Sequence, residues 1–365
     1  MKVKVGEITK IKTGKLDANA SSADGKYPFF TCSKDPLRIN SYSYDCECVL
    51  VAGNGDLNVK YYNGKFDAYQ RTYIIEDNSN GLLYMPYLYY FLEGYIGELR
   101  KQSIGGVIKY IKLGNLTDVL VELPSIEEQK YIVNLMNISL ELIELRKKTI
   151  DKLDSLVKAR FIEMFGGPQI NQFNWNMVNI SKIIKGKVSN GYFAKRDEYC
   201  EDGNVKVLGV ANIVNRMYSN VKNLPRTNVN QKDISKFKVQ YGDMLFCRSS
   251  LVAEGIGKAS IIPKDVADDI LFECHVIRLP LDLNQCVPEF MQVLSTTDYF
   301  RNQVIAQSKT ATMTTIGQDG ILKTNIILPP IYKQKEFELF VQQVDKSRFD
   351  IKKSIIELER EVVYD

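Results

Sequence analysis

An eight-residue motif occurs twice in this chain of 365 residues, as LPSIEEQK at 123–130 and as LPPIYKQK at 328–335. Five of its eight positions are identical, and the flanking sequences keep the same offset of 205 residues. Apolar residues then face apolar residues for about ten helical turns, as Met136 and Val341 do. The offset is far longer than a solenoid repeat, so the pattern indicates two related halves.

The first motif opens the longest predicted helix. Ser125 and Glu128 have the spacing of a capping box, and Gly166-Gly167-Pro168 should end the helix. About 40 helical residues would form a rod of roughly 60 Å. An apolar stripe repeats every seven residues and is widened by three leucines; its members are Met136, Ile143, Ile150, Val157 and Met164, with Leu135, Leu142 and Leu156.

A second amphipathic helix follows the second motif. Its apolar positions alternate three and four apart, and only Arg348 interrupts them; they are Phe337, Val341, Val344, Ile351, Ile355, Leu358 and Val362. An isolated amphipathic helix needs a partner for its stripe. We expect each long helix to pack on the other, antiparallel because a globular block separates them.

The segments before the helices favour β-structure. Residues 45–52 read as a buried strand that runs into Gly53-Asn54-Gly55-Asp56, and Asn63-Gly64 suggests a hairpin. A strand at 68–75 and a helix at 85–102 follow, and the second block repeats this order. The predicted fold is α+β, with two β-rich domains, each followed by a long helix, and the helices pairing as an antiparallel coiled coil with pseudo-two-fold symmetry. The predicted boundaries are 1–122, 123–165, 166–327 and 328–365.

Composition narrows the class of protein. The chain is 45% hydrophobic and 25% charged, with a net charge of +4 whose excess lies in residues 166–327. Seven cysteines without a paired framework suggest reduced thiols, and no signal peptide or run of 18 apolar residues is evident. We therefore expect a cytoplasmic protein without a membrane span.

Motifs for catalysis are missing from the sequence. His275 is the only histidine, and neither a P-loop nor a dinucleotide-binding glycine pattern occurs. Glu128-Gln129-Lys130 has nuclease-like spacing but lies in the capping turn, and Leu328-Pro329-Pro330-Ile331 lacks the polar residue of an amino-methyltransferase motif. We expect a chain that is not an enzyme and binds no metal or cofactor.

Two β-rich blocks, each closed by an LPxIxxQK helix, resemble the specificity subunit of type I DNA restriction-modification systems. The segment FDAYQRTYII at 66–75 and the helix exit ARFIEMFG at 159–166, followed by Trp175, add to the resemblance, which spans essentially the whole chain. The second block departs from it with Cys274-His275-Val276 in place of Gln70-Arg71-Thr72, and Lys333 stands where a capping Glu is expected.

The resemblance implies a non-catalytic DNA-recognition subunit. Each block would read one half of a bipartite, asymmetric target in double-stranded DNA, and the helices would set the spacing and dock two copies of a modification subunit. Those partners would bind S-adenosylmethionine, flip an adenine out of the duplex and methylate N6. Restriction subunits would add translocation and cleavage, using ATP and Mg²⁺.

Candidate DNA contacts follow from side-chain chemistry, because base edges suit forked donors and amides, while phosphates suit Lys, Arg and small hydroxyls. In the first block they are Asn54, Asn58, Lys60, Tyr61, Tyr62, Lys65, Gln70, Arg71, Arg100, Lys101, Gln102 and Lys109. In the second block they are Lys195, Arg196, Arg248, Ser249, Ser250, Lys258, His275, Gln307, Lys309, Thr310 and Thr312.

Other interpretations stay open from the sequence alone. Most of these candidates could be ordinary solvated surface, and His275 could be purely structural. A stand-alone nuclease or methyltransferase would need a carboxylate cluster or a cofactor loop. A coiled-coil interaction or adhesion module would use the blocks for ligands other than DNA, and a DNA mobility shift that depends on modification subunits would separate it from a specificity subunit.

Overall fold

The computed structural model describes residues 1–364, with side chains described as far as residue 360. The chain divides into two compact units, of which the first is 1–147 with 353–364 and the second is 148–352. Each long helix therefore contributes one part to each unit. This division follows compactness alone, so the predicted domain boundaries stay a prediction.

The first unit begins with short elements and ends in a long helix. Its strands are β1 (Lys2–Lys4), β2 (Thr9–Thr13), β3 (Tyr27–Phe30), β4 (Leu37–Ile39), β5 (Tyr44–Ala52), β6 (Val59–Ala68), β7 (Thr72–Asp77) and β8 (Leu120–Glu122). Its helices are α1 (Val5–Ile8), α2 (Met85–Gln102), α3 (Gly114–Thr117) and the first part of α4 (Ile126–Phe165), with a 3-10 turn at Ala18–Ala20.

A six-stranded sheet in the order β2-β7-β5-β6-β3-β4 forms the centre of this unit, and β1 pairs separately with β8. The pair β3–β6 is parallel and the other neighbours are antiparallel. Helix α2 covers one face, where Leu88, Leu92 and Leu99 are buried with Val49 and Ile75. Each fully buried aliphatic side chain contributes about 2 kcal/mol, so α2 is held mainly by this face.

The hairpin predicted around Asn63-Gly64 is wrong. Strand β6 runs through both residues, and Gly64 pairs with Cys46 of β5. Gly64 has φ of 134°, a conformation that favours glycine and lets the strand continue despite the Asn-Gly sequence. Cross-strand pairing over the full length of β5 outweighs the local turn signal. The connection between β5 and β6 lies instead at residues 53–58.

The second unit has shorter strands in several small sheets. Its strands are β9 (Asn176–Asn179), β10 (Ser189–Asn190), β11 (Val205–Leu208), β12 (Arg226–Thr227), β13 (Asp243–Cys247), β14 (Ser249–Ser250), β15 (Ala259–Ile261), β16 (Ile270–Phe272), β17 (Val276–Pro280), β18 (Lys309–Thr310), β19 (Thr314–Thr315) and β20 (Asn325–Leu328). Its helices are α5 (Gln231–Phe237), α6 (Pro288–Ser295), α7 (Asp298–Ala306), α8 (Gln318–Leu322) and most of α9 (Ile331–Tyr364). Short 3-10 turns lie at Ile180–Lys182, Arg196–Glu198, Val210–Asn212 and Ala253–Gly255.

The strands of the second unit form four sheets, in the orders β10-β17-β13-β15, β12-β11-β16, β14-β19-β18 and β20-β9. Four phenylalanine rings make the centre of its largest core, with ring centroids 4.9 to 5.6 Å apart. They are Phe161 and Phe165 of α4, Phe290 of α6 and Phe337 of α9. The predicted α+β class, with two β-rich blocks and two long helices, is confirmed.

Both ends of α4 follow the predicted signals. Ser125 N donates to Glu128 Oε2 at 2.9 Å, and Glu128 N donates to Ser125 Oγ at 3.3 Å. The hydrogen bonds that Ser125 N and Ser125 Oγ donate to Glu128 Oε2 lower the pKa of the Glu128 carboxyl. At the other end Gly166 has φ of 75°, and Trp175 Nε1 donates to the carbonyl of Phe165 at 2.9 Å. Trp175 therefore satisfies one of the carbonyls that a helix end leaves unpaired.

The two long helices contact each other within each unit. In the second unit Asp154 of α4 pairs with Arg348 of α9, and Arg160 lies 3.6 Å from Glu336. From the first contact to the second, the residue number rises in α4 and falls in α9, so these segments run antiparallel. In the first unit Arg146 Nη1 donates to the carbonyl of Ser354 at 3.0 Å. Knobs-into-holes packing and a two-fold axis stay predictions.

The widened stripe of α4 is not buried as predicted. Ile143 and Val157 are buried, but Leu135, Leu142 and Leu156 are exposed. A seam between two helices covers a narrow band, and these leucines lie beside it. No helix among the described residues is both long and apolar enough to cross a bilayer.

Candidate nucleic-acid interface

Three loops of the first unit meet where β5 ends. Gly53 N donates to the carbonyl of Arg71 at 2.8 Å, and Ile111 N donates to the carbonyl of Gly53 at 2.9 Å. Gly55 N donates to the carbonyl of Lys109 at 2.9 Å. A Cβ at Gly53 would lie 2.4 Å from the Arg71 oxygen, so this close approach requires glycine. We call residues 53–56, 69–71 and 104–111 the first junction.

The second unit builds the same arrangement from different side chains. Arg248 N donates to the carbonyl of His275 at 2.8 Å, and Ile316 N donates to the carbonyl of Arg248 at 3.0 Å. The pair Lys309–Thr315 closes a hairpin here, as Ile104–Tyr110 does in the first unit. Both members of the pair are displaced by the same 205 residues that separate the motifs. We call residues 248–252, 273–275 and 309–316 the second junction.

The two junctions bring together groups that the sequence placed in separate clusters. Asn54, Arg71 and Lys109 share the first junction, while Arg248, Ser249, Ser250, His275, Lys309, Thr310 and Thr312 share the second. Arg71 and Lys109 of the first junction and Lys309 of the second are exposed and make no ion pair among the residues with described side chains. Their side chains are free to meet an anion.

Several candidates of the first block instead make hydrogen bonds within the first unit. Asn58 Nδ2 donates to the carbonyl of Cys32 at 2.8 Å, and burial lowers the pKa of Lys60 beside it. Gln70 Nε2 donates to Asp17 Oδ1 at 2.8 Å. Arg100 Nη2 reaches Asp56 at 2.9 Å and the carbonyl of Leu57 at 3.0 Å. These side chains fix the loops around the first junction.

The rest of the predicted hairpin cluster is spread along β6. Tyr61 donates its hydroxyl to Glu47 at 2.7 Å, and Tyr62 donates to the carbonyl of Lys65 at 3.3 Å. Lys65 pairs with Asp45 at the far end of β5, roughly 25 Å along the strand from Gly53. At the end of α2, Lys101 pairs with Glu98, and Gln102 accepts from Asn115. The structure therefore does not bring Lys65 to the junction.

In the second junction the side chains bond across neighbouring loops. Arg248 Nη1 donates to the carbonyl of Cys274 at 3.2 Å, and Ser249 Oγ lies 2.6 Å from His275 Nδ1. Ser250 Oγ accepts from Val252 N at 3.3 Å. Thr310 and Thr314 hydroxyls lie 3.0 Å apart across the hairpin. Hydroxyls, an imidazole and a guanidinium thus line one exposed surface.

The remaining second-block candidates are more scattered. Gln307 is exposed at the end of α7, and Thr312 is exposed in the hairpin loop. Lys195 and Arg196 begin an exposed 3-10 turn, and the preceding segment meets Glu273 through a bridge at Tyr192. Lys258 Nζ donates to Asn215 Oδ1 at 2.8 Å, away from the hairpin.

Lys258 also lines a basic cavity of about 760 Å³ that the sequence analysis missed. Six cations and two carboxylates line it; the cations are Lys158, Arg216, Lys258, Arg301, Arg348 and Lys352, and the carboxylates are Asp154 and Asp345. Arg301 Nη1 is buried there without a hydrogen-bond partner among the described residues. No sequence pattern marked this cavity, because its cations come from segments that are distant in sequence.

In the described part of the chain, no set of three or more His, Cys, Asp or Glu side chains could hold a metal ion. All seven cysteines are free thiols. The arrangement at the junctions offers hydrogen-bond donors and positive charge, which suits recognition of an anionic, donor- and acceptor-rich surface.

Comparison with known proteins gives the family. The profile of the type I restriction modification DNA specificity domain matches residues 1–155 and 173–360. The EcoDI type I restriction enzyme specificity subunit of Escherichia coli is 43% identical over 156 residues, which are 43% of this chain and 34% of that protein. The MjaVIII specificity subunit of Methanocaldococcus jannaschii is 21% identical over 368 residues, covering 94% of this chain and 85% of that protein.

Solved structures agree with the fold. The S subunit of a type I restriction-modification system from M. genitalium has a TM-score of 0.55 at 13% identity. The alignment covers 99% of this chain and 93% of that chain. A structure from work on complex assembly and conformational transition of the type I restriction-modification system has a TM-score of 0.61 at 14% identity. The alignment covers 100% of this chain and 95% of that chain. Because the family profile matches most residues of this chain, the chain belongs to the family of type I restriction-modification DNA specificity subunits.

Proposed function

We propose that each unit reads one half of a bipartite target in double-stranded DNA through its junction. The observation that carries this proposal is the shared backbone plan of the two junctions, with different side chains at matching places. Arg71 of the first corresponds to His275 of the second, and Lys109 corresponds to Thr314. Base edges are distinguished by the donors and acceptors that meet them, so the two half-words should differ.

The long helices then set the distance between the two half-words. Helix α4 has 40 residues, and its length is roughly 60 Å at 1.5 Å per residue. Half-sites one turn of DNA apart are separated by about 34 Å. A rod of this length is sufficient to hold two readers over such a target, and its stiffness would make the spacer constant.

The same helices are the surface on which we place partner subunits. Large apolar side chains are exposed along both of them, namely Tyr131, Leu135, Ile138, Leu142, Leu145 and Leu156 of α4 and Tyr332, Leu339, Phe349 and Ile356 of α9. Exposed apolar surface of this kind is typical of protein interfaces. Two copies of an adenine-N6 methyltransferase subunit would dock there and bind S-adenosylmethionine. Restriction subunits would join them and use ATP and Mg²⁺.

Adenine methylation mapping tests the proposal. The full chain is produced with its modification subunits in a host that lacks adenine methylation, and modified positions are sequenced. We expect one motif of two dissimilar half-words separated by a fixed number of unspecified base pairs. A continuous motif, or methylation without any motif, would contradict the bipartite mechanism.

A control separates recognition from catalysis. The purified chain alone, incubated with S-adenosylmethionine and mixed DNA, should transfer no methyl group. Methylation by the lone chain would make it an enzyme. If the chain and its modification subunits together bind no DNA, an interaction module for other ligands becomes the better interpretation.

A further inference from the structure

The hairpin of the first junction carries the most exposed aliphatic residue of those whose side chains are described. Val107 at its tip is fully exposed, and its neighbour Ile108 is 62% exposed. Removing aliphatic groups from water lowers the free energy, so any surface that covers them is favoured. Val107 is therefore uncovered by the described residues, and Ile108 is covered only in part.

The tip is held in place rather than trailing from the surface. Ile104 N donates to the carbonyl of Tyr110 at 3.0 Å, and Tyr110 N returns the bond to Ile104 at 2.8 Å. Gly105 has φ of 119°, and a Cβ there would lie 2.6 Å from the carbonyl oxygen of Ile108. Glycine is therefore required for a turn that fixes Val107 and Ile108 at the apex.

The second junction also exposes aliphatic side chains. Leu251 is 82% exposed and Val252 is 57% exposed, directly after β14. Met313 occupies the position that corresponds to Ile108 and is 37% exposed. Both junctions thus expose aliphatic side chains, at the hairpin tip in the first and chiefly on the loop after β14 in the second, beside different polar side chains. This suggests a task that does not depend on the sequence being read.

The charge around these tips indicates what kind of partner covers the exposed aliphatic side chains. Each junction contains two cations and one acid. The first has Arg71 and Lys109 with Asp56, which pairs with Arg100 outside the junction. The second has Arg248 and Lys309 with Glu273. Lys109 follows Ile108 immediately and is exposed. A protein partner with a plain apolar face would gain nothing from this positive surround, whereas DNA offers stacked apolar bases between two lines of phosphate.

We infer that the aliphatic tip of each junction is a wedge that inserts between stacked base pairs of its half-site. The inference rests on the proposed function and says how the junction engages the duplex. Aliphatic side chains inserted at a base step partly unstack it and kink the duplex. The bases cover the exposed side chains, the cations hold the flanking phosphates, and the bend brings more of the unit onto the DNA.

Base-stacking fluorescence tests the wedge. The full chain with its modification subunits is bound to its target duplex, in which 2-aminopurine replaces, one at a time, each adenine that is not methylated. Wild-type protein should raise the fluorescence at one step in each half-site. The double variant Val107→Asn/Ile108→Asn should lose the signal in one half-site only and bind about tenfold more weakly.

Leu82→Asn is the matched control, because Leu82 is 56% exposed in the same unit and lies outside the first junction. It should leave both signals and the affinity unchanged. The retained signal in the other half-site shows that the double variant is folded and bound. Specific binding without any rise in fluorescence overturns the wedge alone, as does an equal effect of Leu82→Asn. Absence of specific binding by the wild-type assembly overturns the proposed function together with the wedge.

Discussion

Gln129 Oε1 accepts the backbone N–H of Tyr84 at 2.8 Å, at the residue just before α2. Its amide donates to the carbonyls of Leu82 at 2.8 Å and Pro124 at 3.0 Å. Gln334 repeats this pattern in the second unit, accepting from Val287 N at 2.9 Å where α6 begins. Both glutamines are completely buried. The glutamine of the repeated motif therefore ties each long helix to the start of a helix that covers a sheet.

Gln129→Leu should lower the free energy of unfolding by about 2–4 kcal/mol, because it leaves one buried donor and two carbonyls without partners. Urea unfolding of the full chain measures the change. Gln334→Leu should cost a similar amount. Gln343→Leu, at an exposed position of α9, should change stability by less than about 0.5 kcal/mol, and an equal loss there would contradict the explanation.

Gly166→Ala should destabilise the chain by about 1–2 kcal/mol. Its φ of 75° is costly for a residue with a side chain, and a Cβ would lie 2.8 Å from Gln172 Cγ. Gly167 provides the matched control, because a Cβ there meets nothing within 4 Å and its φ is not positive. Gly167→Ala should leave the thermal midpoint unchanged or slightly higher. If the two alanines behave alike, the conformation of Gly166 does not end α4.

Asp243 should make stability depend on pH between about 4 and 6. Its carboxyl is 1% exposed, and burial raises its pKa from 3.8 to about 6, against the opposing effects of Arg278 and the N–H of Gln240. The folded state therefore binds the proton more tightly than the unfolded state. The resulting stabilisation is complete below about pH 4 and is lost as the pH rises through 6, by about 2–3 kcal/mol.

Asp243→Asn removes this titration and keeps an oxygen that can accept from Gln240 N. The free energy of unfolding of the wild type, measured relative to this variant in urea at several pH values, should fall as the pH rises from 4 to 7. Asp282→Asn should show the opposite sign, because hydrogen bonds from Gln285 and Asn284 lower the pKa of the Asp282 carboxyl. A flat difference for Asp243→Asn would mean that the carboxyl is not desolvated.

Arg71→Ala should weaken binding to one half-site by about 1–3 kcal/mol, because the guanidinium is exposed at the first junction and can bond a base edge. Competition with duplexes altered in either half-site measures the loss, which should be confined to one half. Lys109→Ala should weaken binding to all sequences alike and reduce the salt slope by about 1. If neither variant changes affinity at moderate salt, the first junction is not the DNA surface.

Elements with strong local signals could be predicted closely. The helix predicted at 85–102 spans Met85–Gln102, and the capping box at Ser125 and the glycine at 166 bracket α4. Helix periodicity, caps and stop signals act within a few residues, so the chain itself contains nearly all the information. The repeated motif is equally local, and it indicates the family without any tertiary contact.

Tertiary structure determined three other features, namely the two junctions, the exposure of the α4 leucines and the course of β6. Gly53, Arg71 and Ile111 meet through backbone bonds that no local pattern announces, and Asn63-Gly64 remained in a strand because β5 pairs along it. Such contacts depend on the summed free energy of partners distant in sequence. The amino-acid order thus determined the long helices and the duplication, whereas packing determined which polar side chains share a surface.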